Sequence, residues 1–240
     1  MQTLKISFSL LILAAVAILP GCDGGRCIRG NHDMETEYRN VEYFDGVITE
    51  GSWDVSVHED SIYYVVIEAE SNLLPYIGTS VRNNDLVIRT RDHRCINNRE
   101  PIHIHVYAPS VSHATLEGSG NMDIERISGS STRLAISGSG DISAGVWADD
   151  FEAQISGSGE MHLEGETETS EMEISGSGNI KAYNLLQGSC FATISGSGDM
   201  YLHVLTLLDV RILGSGNVYY KGNPQLHTSI LGSGEVIHTW

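Results

Sequence analysis

The chain is predicted to be all-β and wound as a parallel β-helix, a solenoid of coils about 19 residues long. Three observations carry that prediction. Gly-Ser-Gly recurs seven times, with first glycines at Gly118, Gly138, Gly157, Gly176, Gly196, Gly214 and Gly232, so the steps are 20, 19, 19, 20, 18 and 18 residues. Apolar residues recur at even offsets from each copy. Two before stand Leu116, Ile136, Ile155, Ile174, Ile194, Ile212 and Ile230, and four after stand Met122, Ile142, Met161, Ile180, Met200, Val218 and Val236. A period of two on either side of a glycine corner is the pattern of β-strands with one buried face. Finally, 41% hydrophobic residues in 240 are enough for a continuous core.

The first element is a leader. Residues 1–21 carry Lys5, an apolar run from Ile6 to Leu19 and then Pro20-Gly21 before Cys22. The run is too short to span a bilayer and reads as a secretory signal of the bacterial lipoprotein type, which makes Cys22 the acylated first residue of the exported chain. The other reading is an ordinary cleaved signal that leaves Cys22 a free thiol. Two or more acyl chains give stable anchoring where one does not, so the membrane is the expected partner through this anchor.

Residues 22–37, rich in Gly, Arg, Asn and Asp, read as a tether and cap. Setting Cys22 aside leaves Cys27, Cys95 and Cys190 in an oxidising compartment. Cys27 and Cys95 share polar Arg-Cys-Ile contexts outside the repeats, and a disulfide between them is the expected pairing, although spacing does not determine connectivity. Cys190, beside Phe191, is then unpaired and buried.

Residues 38–113 are read as irregular coils of the same solenoid, the alternative being a separate small β-unit on its end. Gly51-Ser52-Trp53 is a degenerate copy with Trp53 in place of the second glycine, placed near an open N-terminal end where a bulky residue covers core. Alternation follows in Tyr63, Val65 and Ile67, in Leu86 and Ile88, and in Ile102, Ile104 and Val106. Asn72-Leu73-Leu74-Pro75-Tyr76-Ile77 breaks the rhythm and reads as a short helical turn or loop.

Residues 114–240 hold the regular repeats. One amphipathic strand pair cannot bury its face alone, whereas stacked coils rising about 4.8 Å each can, giving a rod on the order of 30 Å long. The glycines share the inward parity and suit a tight corner. Odd offsets point outward. They place Ser119, Ser139, Ser158, Ser177, Ser197, Ser215 and Ser233 in one ladder, and Asn121, Asp141, Glu160, Asn179, Asp199, Asn217 and Glu235 in a second. The sequence stops eight residues after Gly232, so Trp240 or a partner, a second copy included, is expected to cover the last coil.

These residues resemble the putative auto-transporter adhesin, head GIN domain family of mostly Bacteroidetes lipoproteins. The resemblance rests on the serial Ile-Ser-Gly-Ser-Gly-Asp/Asn units, on Asn72 to Ile77, on Tyr219-Tyr220-Lys221-Gly222-Asn223-Pro224 and on Arg29-Gly30-Asn31, and it covers Arg29 to Trp240. It implies a right-handed parallel β-helix in an exported, lipid-anchored envelope protein with no established activity.

Net charge narrows the partners. At −17, the chain repels nucleic acid phosphates and anionic lipid headgroups, so both are disfavoured as partners of its surface. The two outward ladders are a candidate ligand face for a polysaccharide or another envelope protein. Their other reading is the polar coat every solenoid needs, with Asn interrupting acids that would repel by about 1 kcal/mol at 5 Å in water. A calcium β-roll needs Gly-x-Asp in both halves of each coil, and here only one half carries it. His103 and His105 share a strand face near His113, but lack a third ligand of set spacing. No phosphate loop, nucleophile elbow or zinc helix occurs, so no cofactor and no metal is assigned. The expected function is a non-enzymatic, lipid-anchored envelope module, adhesin-like in binding or scaffolding. The alternative is a glycan-binding or carbohydrate-active protein acting on envelope or host polysaccharide.

Overall fold

A computed structural model describes residues 27–240 of the protein. The leader and Cys22 lie outside the described residues. The chain is a β-solenoid of about seven turns at about 19-residue spacing. Each regular coil is one long strand: Asn121–Gly138, Asp141–Gly157, Glu160–Gly176, Asn179–Gly196 and Met200–Ile212 pair in parallel, each with the next. Equivalent residues stack in register, so Gly118, Gly138, Gly157, Gly176 and Gly196 form one column.

The inward parity is buried as the repeat demands. Leu116, Ile136, Ile155, Ile174, Ile194 and Ile212 are at most 1% exposed. At roughly 1.5–3 kcal/mol for each such buried side chain, a column of this kind outweighs the poor strand preference of the glycines beside it. Cys190 is free and fully buried, while its neighbour Phe191 is exposed. Burial pushes the Cys190 thiol up to about 12.

The glycine corners have a more specific cause than a tight bend over the core. A Cβ on Gly138, where φ is +142°, would stand 2.2 Å from the carbonyl oxygen of Gly118. One on Gly140 would stand 2.1 Å from that of Gly120. Each glycine makes room for the backbone of the coil beneath it, and the first of each pair, Gly214 excepted, also holds a φ that side chains avoid.

In the N-terminal part, space and sequence run in different orders. Gly46–Gly51 pairs in parallel with His113–Gly118, and Asp54–Glu59 with Met122 to Ile124, so the degenerate copy is a coil of the stack. It does not sit at an open end. Asp85–Thr90 and His103–Ala108 pair in parallel on its other side, so the chain lays one coil outward and then returns across it to start the regular repeats. Trp53 accordingly lies inside, 4% exposed, with Nε1 donating to Thr49 Oγ1 at 2.7 Å. The outermost layer is antiparallel: Ile77–Arg82 on Asp85–Thr90, Tyr64–Glu70 on His103–Ala108, and Met34–Asn40 on Tyr64–Glu70. Antiparallel strands end a parallel stack without a further coil and close this end.

Leu74–Tyr76 is a single 3₁₀ turn built on Pro75. Asn72 Nδ2 donates to Arg29 O at 2.8 Å and Asn72 Oδ1 accepts from Asn31 N, tying the segment at Arg29 to this turn. Cys27 and Cys95 are joined by a disulfide across 68 residues, beside the short parallel pair Ile28–Arg29 and Ile96–Asn97.

Candidate functional site

Both outward ladders are where parity puts them, and they do different work. The seven serines are exposed, their backbone N–H groups donating to glycine carbonyls one coil below, as in Ser139 to Gly118 at 2.9 Å. Among the described residues their hydroxyls make no hydrogen bond within the protein. The second ladder is stitched inward. Asp141 Oδ1 accepts from Glu160 N at 2.8 Å, Asn179 Oδ1 from Asp199 N at 3.0 Å, Asp199 Oδ1 from Asn217 N at 2.7 Å, and Asn217 Oδ1 from Glu235 N at 3.0 Å. A short side chain with an oxygen two bonds from Cβ caps a backbone donor on the next coil, where the corner interrupts the regular ladder. Asn121 differs, donating from Nδ2 to Asp54.

Glu160 breaks the pattern because its carboxylate reaches too far. Asn179 N turns instead to Gly159 O at 3.1 Å, and Glu160 Oε1 takes Lys181 Nζ at 2.6 Å and His162 Nε2 at 2.5 Å. Partial burial raises the Glu160 carboxyl, but the hydrogen bonds from Lys181 and His162 outweigh it and hold the group below its ordinary value.

That cluster edges a lateral groove of about 830 Å³ crossing five stacked strands from Ser56 and His58 to Tyr183 and Asn184. Its floor is small, Ser143-Ala144-Gly145, between larger walls carrying Asp123, Glu125, His162 and Glu164. Ser56, Asp123, Ser143, His162 and Lys181 are register partners in one column, continued by Tyr201 and Tyr219. Beyond the groove Tyr201 and Tyr219 stack at 5.0 Å, Tyr183 meets Tyr201 edge-on at 5.5 Å, and Lys221 Nζ lies 4.4 Å from the Tyr183 ring centre. Asp123, Ser143, Glu164 and Asn184 have no side-chain hydrogen bond among the described residues, which leaves donors and acceptors facing the groove. The sequence reading did not reach this column. The signal was present at five residues after each first glycine, one step further along the outward parity than the two ladders.

The three histidines weighed for metal do not converge. His103 Nδ1 lies 3.8 Å from Asp54, His105 Nδ1 lies 3.2 Å from His58 Nε2, and His113 Nε2 meets Asp85 Oδ1 at 2.5 Å. Ile102, Ile104 and Val106, on the opposite parity, are buried. Buried Glu70, also missed from the sequence, accepts from the backbone N–H groups of His32 at 2.6 Å and Arg99 at 2.7 Å, pinning two segments at the N-terminal pole.

Trp240 does not cover the last coil. It is fully exposed, touching His238 edge-on at 4.8 Å, and Leu226, Ile230 and Leu231 remain 39%, 41% and 67% exposed. Val236–His238 runs on along Val218 to Tyr220, which carries Trp240 past the end rather than across it.

A family described as putative auto-transporter adhesin, head GIN domain matches residues 43–224. Among solved structures, the chain is similar to a putative adhesin from Bacteroides fragilis (TM-score 0.84, 21% identity, 88% of this chain and 100% of that one). It is also similar to a putative lipid binding protein from Parabacteroides distasonis (0.74, 24%, 90% and 100%) and a putative adhesin from Parabacteroides merdae (0.74, 20%, 89% and 99%). At these identities the likeness is one of fold. No curated protein matches the chain.

Proposed function

We propose, from the premise that this chain belongs to the putative auto-transporter adhesin, head GIN domain family, that it is a non-enzymatic, lipid-anchored module of the bacterial cell envelope. It binds or scaffolds through the side of its solenoid. The lateral groove carries this reading: five strands held in register present unengaged polar side chains along one rigid face. Its volume is in the range that encloses a ligand of small-molecule or oligomer size. Most of the Asp and Asn ladder is engaged between coils, and the serine ladder, whose hydroxyls are free, runs along the convex corner, so the groove is the concave face with free donors and acceptors. Cys22 supplies the anchor, and among the described residues no helix is long and apolar enough to cross a membrane.

A second reading, a glycan as the groove's ligand, is favoured by hydrogen-bonding side chains in the groove next to the Tyr183, Tyr201 and Tyr219 ladder. Palmitate labelling of the wild type and of Cys22→Ala, with protease added to intact cells, tests the anchor and its exposure. Label that persists in Cys22→Ala rejects the anchor. A glycan array with the wild type and Ser143→Trp, followed by a reducing-sugar assay, tests the groove. Binding abolished by Ser143→Trp without sugar release supports the module, and measurable cleavage rejects it.

A further inference from the structure

We propose that the C-terminal end of the solenoid is a self-association face, on which two copies of this chain meet tail to tail in a closed, two-fold dimer. The inference goes beyond the lateral groove and uses none of its residues.

Gln225–Ile230 is an open edge. It pairs in parallel with Met200–Ile212 on one side and, among the described residues, with no strand on the other. Leu231 N–H donates back to Ile212 O at 2.8 Å. Along a strand the N–H and C=O of one residue point to one side and those of the next residue to the other, so Leu226, Thr228 and Ile230 turn theirs to the open edge. Natural edges are blunted by lysine, proline, a bulge or an inward charge, and this strand holds none of these.

The same three residues carry the inward parity. When two such edges pair antiparallel about Thr228, Thr228 of one copy faces Thr228 of the other, and Leu226 of each faces Ile230 of the other. All three residues then exchange N–H···O bonds across the junction, and the core-facing side chains of both copies fall on one face of the joined sheet. The surface is its own complement, as a two-fold contact requires.

The side chains beside this edge change character as well. One residue before each first glycine, Ser137, Ser156, Ser175 and Ser195 give way to Leu213 and Leu231 in the last two coils. That parity points outward, so neither leucine fills the core, and they are 38% and 67% exposed. Next to an open edge they add apolar area to a contact.

Charge permits the contact at this end. From Met200 to Trp240, Asp209 and Glu235 balance Arg211 and Lys221, whereas Glu160–Gly176 alone carries six glutamates. That acidic strand lies three strands from Gln225–Ile230, about 14 Å at the usual spacing and beyond the screening length of about 8 Å at physiological salt. Two chains of net charge −17 can therefore approach through their neutral ends.

A second copy fits better than a bilayer, because hydrocarbon would leave the free N–H and C=O groups of the edge without partners. Head-to-tail stacking has no matching surface, since the N-terminal end finishes in antiparallel strands instead of a parallel coil. Association accordingly closes at two copies and does not grow into a fibre.

Residues 23–240, which omit Cys22, are followed by sedimentation velocity from micromolar to near-millimolar concentration. Cys27 is bonded to Cys95 and Cys190 is buried, so thiols do not link the copies. A reversible monomer–dimer equilibrium is expected. Thr228→Lys sets two like charges face to face on the two-fold axis and should weaken it roughly a hundredfold or more. Leu231→Glu should weaken it roughly tenfold, and Trp147→Glu, on a side face of the middle coils, should leave it unchanged. Thr228 and Leu231 are exposed, and melting temperatures verify that each variant is folded. Amide exchange at Gln225–Ile230 in the unaltered chain, fast in the monomer, should slow as concentration rises, a readout that needs no variant. The proposal is overturned by a monomer at every concentration, by a dimer that Thr228→Lys leaves intact, or by polymers that keep growing with concentration. Partition of the unaltered monomer onto phosphatidylcholine vesicles, lost in Leu231→Glu and without any dimer, overturns it in favour of a membrane contact.

Discussion

Asn217 donates its backbone N–H to Asp199 Oδ1 at 2.7 Å and its side-chain amide to the same oxygen at 3.2 Å, one coil reaching to the next through a single carboxylate. The ladder beside the glycine corners is thus a row of caps for backbone donors.

Asp199→Ala should therefore cost about 1–2 kcal/mol, because a backbone N–H at the corner loses its acceptor. Asp199→Asn keeps an oxygen in place and should cost less, and Ser197→Ala should stay within about 0.5 kcal/mol. Urea unfolding of the three variants checks the order. Equal losses from Asp199→Ala and Ser197→Ala would show that the carboxylate caps nothing of consequence.

Gly138→Ala should be among the most damaging single changes, costing more than about 3 kcal/mol or abolishing folding, since the new methyl meets the Gly118 carbonyl at 2.2 Å with φ at +142°. At Gly129 the nearest atom to a new Cβ is 3.7 Å away, and the cost should fall to about 1 kcal/mol of backbone strain. Melting temperatures of the two variants decide whether close approach of stacked backbones or φ alone demands glycine.

Ile155 and Ile230 hold the same place in the repeat, yet one is fully buried and the other 41% exposed. Ile155→Ala should cost about 2–5 kcal/mol and Ile230→Ala less than about 1 kcal/mol. Amide exchange should be fastest in residues 225–240 if the last coil frays as its exposure implies. Comparable protection there and at Ile155 would refute this.

The Glu160 carboxyl titrates below its ordinary value in the folded chain, so its contacts with Lys181 and His162 stabilise the protein above the unfolded value, near 4.3, and are lost as pH falls through the lower folded value. The pair is partly exposed, so Glu160→Gln should cost at most about 1 kcal/mol at neutral pH and progressively less as pH falls through the folded value. A stability difference between the two proteins that grew on acidification would contradict the assignment.

The solenoid was legible because side-chain parity is a local property. Ile136 and Met161 face inward for the same reason in every coil, and the seven evenly placed corners align those faces without any knowledge of long-range contacts. The outward ladders were legible for the same reason, and the short turn at Pro75 was marked by a break in alternation. The groove was less so, since Ser143 and His162 become neighbours only when successive coils are laid side by side.

The sequence by itself determined the fold class, the coil length and which side chains face the core, because these follow from a period of two interrupted at equal intervals. Only the tertiary structure decided that Asp85–Thr90 stacks beyond Gly46–Gly51 and that antiparallel strands close that end. It also decided that Trp240 leaves the other end bare. Each of these depends on which coil rests on which, and stacking order is set by backbone hydrogen bonds and apolar contacts between residues far apart in the chain, which no local pattern encodes.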